Sequence, residues 1–214
     1  MKSVEQPASE SLSGAGQRYH HGDLAPALVQ AAREILETEG LSKLSLRAAA
    51  RRAGVSQAAP YHHFRDKTAL LAAVAAEGHR TFTRAMVEGM SQAGTDPAER
   101  LVACGVAYVD FATHNPGLFR LMFGGTIEQC EIFPDLVAAG AASYRVLEDT
   151  VAALTPGQSE PEALQIQALD AWSTVHGLAM LMIDGGLDPV HYGLDSTSDL
   201  TRALLRRRLT PLSC

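Results

Sequence analysis

Residues 53–67 read AGVSQAAPYHHFRDK, and this stretch decides the fold of the amino-terminal part of the chain. Gly54 is suited to end a short helix, because glycine enters the left-handed conformation without a Cβ penalty. Ser56 is a favourable N-cap for a second short helix, which the pattern predicts over about residues 57–64. Asp66 is then expected to cap a long helix that begins at the next residue.

Two short helices joined by a turn that contains glycine form a helix-turn-helix, whose second helix enters the DNA major groove. The predicted second helix carries small or hydrogen-bonding side chains where a buried helix would carry Leu or Ile. These side chains are Gln57, Ala58, Ala59, Tyr61, His62 and His63. Cationic side chains flank them at Arg47, Arg51, Arg52, Arg65 and Lys67. We therefore interpret residues 57–64 as the DNA-contacting helix.

The composition is that of an ordinary folded protein, since 46% of the 214 residues are apolar and 20% are charged. No stretch reaches the roughly 18 uninterrupted apolar residues that a membrane span requires. Residues 1–17 lack the apolar segment of a secretory signal, and we expect them to form a disordered tail. The three cysteines are scattered, which fits a reducing compartment. We expect a cytoplasmic protein without a membrane partner.

The charge is distributed unevenly along the chain. The whole sequence carries a net charge of −6, which is unusual for a simple nucleic-acid binder. Residues 42–67 nevertheless contain six Lys or Arg against one acid, a local net charge of +5. Residues 68–214 contain nine Lys or Arg against seventeen acids, a net charge of −8. This distribution indicates that only the amino-terminal part meets phosphates.

The rest of the chain shows helical periodicity, and no segment alternates as a strand does. Beyond the helix-turn-helix, the predicted helices span about residues 67–90, 97–114, 118–123, 134–154, 161–184 and 196–209. We therefore predict an all-α protein of about nine helices. Its parts are a tail over residues 1–17, a three-helix head over residues 18–66 and a helical-bundle body over residues 67–214.

The segment 164–183 is apolar on almost every side, which is typical of a helix that is buried on every side. A body of this size offers few partners for such a helix, and the same helix of a second subunit is the simplest one. We predict a homodimer through the helices at about 161–184 and 196–209. A dimer would present two DNA-contacting helices about 34–36 Å apart, the spacing that reads a palindrome.

Several motifs of the head resemble the TetR (tetracycline-repressor-like) family. They are Tyr19-His20-His21-Gly22-Asp23-Leu24, Gly40-Leu41, Ser45-Leu46-Arg47, Ala53-Gly54-Val55-Ser56 and Tyr61 to Leu71. Residues 172–179 (WSTVHGLA) are similar to the WHG type of carboxy-terminal domain in that family. The resemblance implies a homodimeric transcriptional regulator with a DNA-binding head and a ligand-binding and dimerisation body. It also implies that binding of a small-molecule effector makes the protein release its double-stranded DNA operator. This release ends repression.

The resemblance also implies roles for single residues. Ser45, Arg47, Tyr61, His63 and Lys67 fall where the family contacts phosphates, and Gln57, Ala58, Ala59 and His62 fall where it meets bases. Ser56, directly before them, is a further candidate DNA-binding residue. Two features depart from a simple reader helix, the pair of alanines and Pro60. Ala59, like Ala58, cannot hydrogen-bond a base, so it would contact a thymine methyl group. Pro60 removes an N–H and biases its predecessor away from the α conformation, so the helix would start late or loosely.

A candidate ligand pocket lies near the predicted helix break at residues 115–117. The cluster comprises Tyr108, Phe111, Phe119, Met122, Phe123, Trp172 and His176. Two interpretations stay open for it, a plain hydrophobic core or the wall of a mostly apolar cavity. His176 is likewise either a hydrogen-bonded core histidine or a polar group of the pocket.

Other functions find less support in the sequence. Neighbouring histidines such as those at residues 62 and 63 point about 100° apart on a helix, and no further ligand has metal-site spacing, so we expect neither metal nor cofactor. The glycine-rich phosphate loop, the Gly-x-Ser-x-Gly elbow and the His-Glu-x-x-His motif are absent, which argues against an enzyme. The alternative is a helical enzyme or carrier that retains a helix-turn-helix-like head. An architectural DNA-bending role fits poorly with the acidic body.

Overall fold

The computed structural model describes residues 24–154, 156–157 and 160–209, and this part of the chain is all-helical without a strand. Its α-helices are α1 (Leu24–Thr38), α2 (Leu46–Arg52), α3 (Lys67–Ser91), α4 (Pro97–His114), α5 (Pro116–Phe123), α6 (Pro134–Ala152), α7 (Pro161–Ile183) and α8 (Thr197–Leu209). Short 3-10 helices span Ala59–His62, Cys130–Ile132 and Pro189–Tyr192. The predicted all-α class is confirmed. The predicted tail lies outside the described residues.

The helix boundaries follow from local hydrogen bonds that the sequence predicts. Ser45 Oγ accepts the Ala48 N–H at 3.1 Å and begins α2, while Asp66 Oδ1 accepts the Ala69 N–H at 2.8 Å and begins α3. Gly54 follows α2 with a φ of +70°, the left-handed conformation expected there. The predicted end of α2 at Gly54 and the predicted N-cap of α3 at Asp66 are therefore confirmed.

The head is held together by apolar side chains that α1 and α2 bury against each other. Leu28 and Ile35 of α1 and Ala49 of α2 are almost fully buried. Phe64, at the end of the turn, is buried in the same cluster. Leu70, one turn into α3, is also fully buried, so the long helix is anchored in the head at its first turn.

Helix α3 runs from the head into the body. Its later residues Phe82 and Met86 are buried among α4 and α6. Gly78 lets α5 approach closely, because a Cβ at this position would lie 2.8 Å from Met122 Sδ and 2.9 Å from Leu118 Cδ1. One continuous cluster of buried side chains therefore runs through head and body, and the boundary at residue 66 stays a prediction.

Helix α7 leaves one face exposed in the single subunit. Ile166 is 67% exposed, Leu169 50% and Leu181 52%, and all three lie on the side that also carries Ser173 and Gly177. The buried residues Ala168, Val175, Leu178 and Ala179 form the opposite side. The expectation of burial on every side is thus met only if a second molecule covers this face. Within the described ranges, no helix is both long and apolar enough to span a bilayer.

Candidate nucleic-acid interface and ligand cavity

The segment after Gly54 is a turn followed by a 3-10 helix, so the prediction of an α-helix over residues 57–64 is wrong in its helix type. The N–H groups of Tyr61 and His63 bond to carbonyls three residues earlier, at 3.2 and 3.0 Å. Pro60 explains this geometry, because it has no N–H to donate and it disfavours the α conformation at the residue before it. Only the Phe64 N–H reaches back four residues, to Pro60 O at 2.8 Å.

Ser56 does not cap this segment with its side chain, which corrects the predicted N-cap. Its backbone carbonyl instead accepts the Ala59 N–H at 3.1 Å. The residue before the 3-10 helix is Ala58, which has no side chain able to cap. Because the turn is closed by backbone bonds, the Ser56 hydroxyl remains at the surface.

The turn nevertheless presents the predicted side chains to solvent. Pro60 and Phe64 are buried and fix the segment to the head, whereas Ala59 is half-buried. We call the exposed residues of this segment the recognition surface. They are Ser56, Gln57, Ala58, Tyr61, His62 and His63. Anchoring by two buried residues gives this surface a defined orientation without a regular α-helix.

The five flanking cations differ in their partners. Arg47 and Arg51 are exposed and form no ion pair with any described residue. Arg52 pairs with Glu39, and its guanidinium also lies 3.7 Å from Glu34. The sequence did not predict these two ion pairs, because Glu39 and Glu34 lie 13 and 18 residues before Arg52.

The remaining two cations also have contacts within the protein. Arg65 Nε lies 3.2 Å from Asp66 Oδ2, and its guanidinium carbon lies 5.6 Å from the centre of the Phe133 ring. Lys67 Nζ donates to Leu41 O at 3.0 Å. The ammonium group has three hydrogens, so this bond leaves the others able to meet a phosphate. Ser45 and Arg47 are exposed at the start of α2.

The body encloses a cavity of about 870 Å³ between α3, α4, α6, α7 and α8. Its wall is mainly apolar and includes Phe82, Met86, Tyr144, Leu147, Trp172 and Val175. The volume lies in the range of pockets that take small organic ligands. Asp170 and Arg208, which pair with each other, lie at its edge on α7 and α8.

Three of the seven predicted pocket residues line this cavity, namely Tyr108, Phe123 and Trp172. The other four do not line it, and for Phe111, Phe119 and Met122 the open interpretation as hydrophobic core is the one that fits. Phe111 and Phe119 are buried in the core behind the wall, and Met122 packs against α3 at Gly78. His176 lies behind three residues of the wall, since it bonds to Tyr108 and its ring packs against Phe123 and Trp172. The sequence could not separate wall from core, because both consist of apolar and aromatic side chains at helical spacing.

Tyr108, Trp172 and His176 form a hydrogen-bonded group in the wall. The Trp172 Nε1–H donates to Tyr108 Oη at 3.1 Å, and Tyr108 Oη lies 2.8 Å from His176 Nδ1. Burial raises the pKa of the Tyr108 phenol and lowers the pKa of the His176 imidazole. Both groups are therefore uncharged at neutral pH, and this part of the wall offers dipoles rather than charges.

A second buried polar pair, His79 and Ser143, was not predicted. His79 Nδ1 lies 3.0 Å from Ser143 Oγ, and the Ser143 hydroxyl donates to Gly140 O at 2.8 Å. All three residues line the cavity. Burial lowers the pKa of His79 to about 4, so the ring is neutral at pH 7. A histidine within the apolar stripe of α3 was the only signal for this pair in the sequence.

Cys104 also lines the cavity, and it is buried. Burial raises the pKa of its thiol to about 12. Because the thiolate is the nucleophilic form of cysteine, this thiol is unreactive at neutral pH. The cavity therefore lacks an activated nucleophile at this position.

Head and body are joined by contacts between α1 and the first turn of α5. Glu37 accepts the Leu118 N–H at 2.7 Å and the Gly117 N–H at 3.0 Å. Arg33 donates to Asn115 Oδ1 at 2.8 Å. The last residue of α5, Phe123, lies in the cavity wall. One short helix therefore contacts the head at its amino terminus and the cavity at its carboxy terminus.

Comparison with known proteins agrees with this arrangement. The family described as bacterial regulatory proteins, tetR family, matches residues 28–74, and the tetracyclin repressor-like C-terminal domain matches residues 101–207. The HTH-type transcriptional regulator YobS of Bacillus subtilis, itself uncharacterised, is 32% identical over 93 residues, which are 44% of this chain and 48% of YobS. The chain thus matches about half the length of this curated relative.

Solved structures extend the similarity to nearly the whole chain. A protein of unknown function from Rhodococcus sp. RHA1 is 35% identical, has a TM-score of 0.73, and is matched over 90% of this chain and 96% of its own. A TetR-like transcriptional regulator from the same organism shares the fold at 19% identity, with a TM-score of 0.61 over 90% and 98% of the two chains. This chain therefore belongs to the TetR family of bacterial transcriptional regulators.

Proposed function

We propose that this protein is a repressor that binds a palindromic DNA operator as a homodimer in the cytoplasm, and that a small molecule in the body releases it. The observation that carries the proposal is the pairing of two surfaces in one subunit. The head exposes the recognition surface beside Arg47 and Arg51. The body holds a mainly apolar cavity of about 870 Å³. The proposal is tested by letting the purified protein select DNA fragments from its own genome. Failure to enrich any palindromic sequence would contradict the proposal.

The proposed DNA contacts divide by chemistry. Ser45, Arg47, Tyr61, His63 and Lys67 contact phosphates, whereas Ser56, Gln57, Ala58, Ala59 and His62 lie at or beside base edges. The exposure of all these side chains except Ala59 and Lys67, which are half-buried, supports this division. Hydroxyl, amide and cationic groups suit phosphate and base contacts. The alanines let the turn approach the groove closely.

The proposed dimer interface is the exposed face of α7, with α8 beside it. Ile166, Leu169 and Leu181 expose half or more of their side-chain surface there. A Cβ at Gly177, in the same face, would meet no atom of its own subunit within 4 Å, so a partner helix could approach closely. Leu204 of α8 is 43% exposed. Several exposed apolar side chains on one helix face suit a protein–protein interface.

The proposed release mechanism uses α5. A ligand in the cavity contacts Phe123 and displaces α5, and Glu37 transmits this displacement to α1 of the head. The bonds from Glu37 to the first turn of α5 support the route, since they tie the two parts directly. A change in the angle of each head alters the separation of the two recognition surfaces, so the operator no longer fits.

Arg47→Ala is expected to weaken binding to all DNA sequences alike. Arg47 is exposed on α2 and makes no ion pair with a described residue, so its charge is available to a phosphate. Losing one phosphate contact flattens the slope of log K against log salt by about 0.9. Binding titrations at several salt concentrations measure this slope. Arg84→Ala, on the exposed side of α3 in the body, is the matched control and should leave it unchanged.

Gln57→Ala is expected to change which operator is preferred. The exposed amide can bond a base edge, and the loss of such a contact costs about 1–3 kcal/mol of discrimination at that base pair. Selection from a randomised DNA library measures the preference. Gln30→Ala, which removes an amide that bonds Glu34 on α1, serves as the control. An unaltered preference in the Gln57 variant would show that this residue reads no base.

A further inference from the structure

The hydrogen-bond chain at His79 favours one assignment of its ring hydrogen. Ser143 has one hydroxyl hydrogen, and its Oγ lies 2.8 Å from Gly140 O, which can only accept. The hydroxyl hydrogen is therefore directed to this carbonyl. His79 Nδ1, 3.0 Å from Ser143 Oγ, must then be the donor of the second bond. A neutral imidazole carries one N–H, so Nε2 presents a lone pair.

This lone pair has no partner among the described residues, although the His79 side chain is only 6% exposed. The space beside it is open because residue 140 is a glycine. A Cβ at Gly140 would lie 3.8 Å from His79 Nε2 and 3.9 Å from Cε1. Both residues line the cavity. A buried acceptor without a partner is unfavourable, so a donor supplied from the cavity would stabilise the site.

We propose that the effector is an uncharged, largely apolar molecule with a hydroxyl or N–H group that donates a hydrogen bond to His79 Nε2. This inference rests on the proposed function, since it names the class of molecule that the body binds. The surroundings support an uncharged ligand. Apolar side chains and the neutral Tyr108 group make up most of the wall, and Arg208 at the edge is paired with Asp170. A carboxylate has no hydrogen to donate, so its oxygen lone pairs would face the lone pair of His79 Nε2 and repel it.

The inference is tested with three probes that share one ring system. Calorimetry with the purified full chain compares 2-naphthol, 2-methoxynaphthalene and 2-naphthoate at pH 7. The naphthol is expected to bind about tenfold more tightly than the ether, because it alone donates a hydrogen bond. The naphthoate is expected to bind most weakly. Equal binding of naphthol and ether, tighter binding of the carboxylate, or no binding of any probe overturns the inference.

Gly140→Ala separates this site from the rest of the cavity. The added Cβ makes only ordinary contacts, at 3.8 Å or more, so the fold should be kept. The added methyl group lies 3.8 Å from Nε2 and 3.9 Å from Cε1, so it crowds this edge of the ring and should reduce the tenfold preference for naphthol. Ala142→Ser, on the exposed side of the same helix, adds one atom as well and is the matched control. A preference that survives unreduced in Gly140→Ala contradicts the assigned site.

Ser143→Ala tests the direction of the hydrogen-bond chain. Without the serine oxygen, Nδ1 no longer has an acceptor, and the ring can carry its hydrogen on Nε2 instead. The ratio of naphthol to ether affinity should then fall to one or below. Nitrogen NMR of the His79 ring in the wild-type protein checks the assignment directly. We expect the hydrogen on Nδ1, and a hydrogen on Nε2 would exclude the inference.

These measurements contain no DNA, so they can fail independently of the proposed function. A protein that binds an operator but shows no preference between the probes keeps the proposed function and loses this inference. A protein that prefers naphthol but selects no DNA loses the proposed function, and its cavity still has the assigned chemistry.

Discussion

Gly177→Arg is expected to convert the dimer into a monomer and to lower operator affinity by about 100-fold or more, because the two heads no longer bind as one unit. Gly177 lies in the exposed face of α7, where a Cβ would meet no atom of its own subunit within 4 Å. Arginine is also a better helix former than glycine, by roughly 0.8–1 kcal/mol. The subunit itself should therefore fold normally.

The measurement is sedimentation equilibrium together with an operator titration. Ala142→Arg is the matched control, since it adds the same charged side chain at an exposed position of α6, outside the α7 face. It should leave both properties unchanged. If Gly177→Arg remained a dimer with full operator affinity, the interface would not be the α7 face.

Glu37→Ala is expected to leave operator affinity in place and to reduce the response to an effector. Its carboxylate makes two hydrogen bonds to the first turn of α5, at 2.7 and 3.0 Å, and the variant loses both. Coupling energies between two sites are typically 1–3 kcal/mol, so the effector concentration that releases DNA should rise by about tenfold. The helix α1 keeps its buried face and should hold the head together.

The measurement first screens for a compound that releases wild-type protein from its operator, and then titrates that compound on the variant. Glu34→Ala is the control, because it breaks contacts inside the head with Gln30 and Arg52 and none to α5. Glu34→Ala should respond as the wild type does. An unchanged response in Glu37→Ala would exclude α5 and Glu37 as the route.

The location of the recognition surface was predictable from the sequence, whereas its helix type was not. Gly54 and Asp66 mark its two ends through interactions within four residues, and both acted as expected. The same stretch contains Pro60, whose effect on the backbone is also local. The sequence indicated a loose start, and the structure contains a 3-10 helix instead of an α-helix.

The cavity was the least predictable part. The aromatic residues predicted to cluster on α4, α5 and α7 lie together, since Tyr108, Phe119 and Phe123 contact one another and Trp172 packs against Phe123. Which of them face a void depends on small shifts of whole helices, and a helical repeat carries no information on that. His79 and Ser143 are 64 residues apart, and nothing in either local sequence pairs them.

The sequence alone determined the six α-helices from residue 67 onward to within two residues at every end, the basic head, the acidic body and the family. These properties depend on capping and periodicity, which act over three or four residues, and on motifs that lie within one segment. Only the tertiary structure decided that Arg52 is paired with Glu39, that Lys67 bonds to Leu41, and that Glu37 holds α5. These contacts join residues 13 to 81 positions apart, and they exist because packing of buried faces brings the helices together.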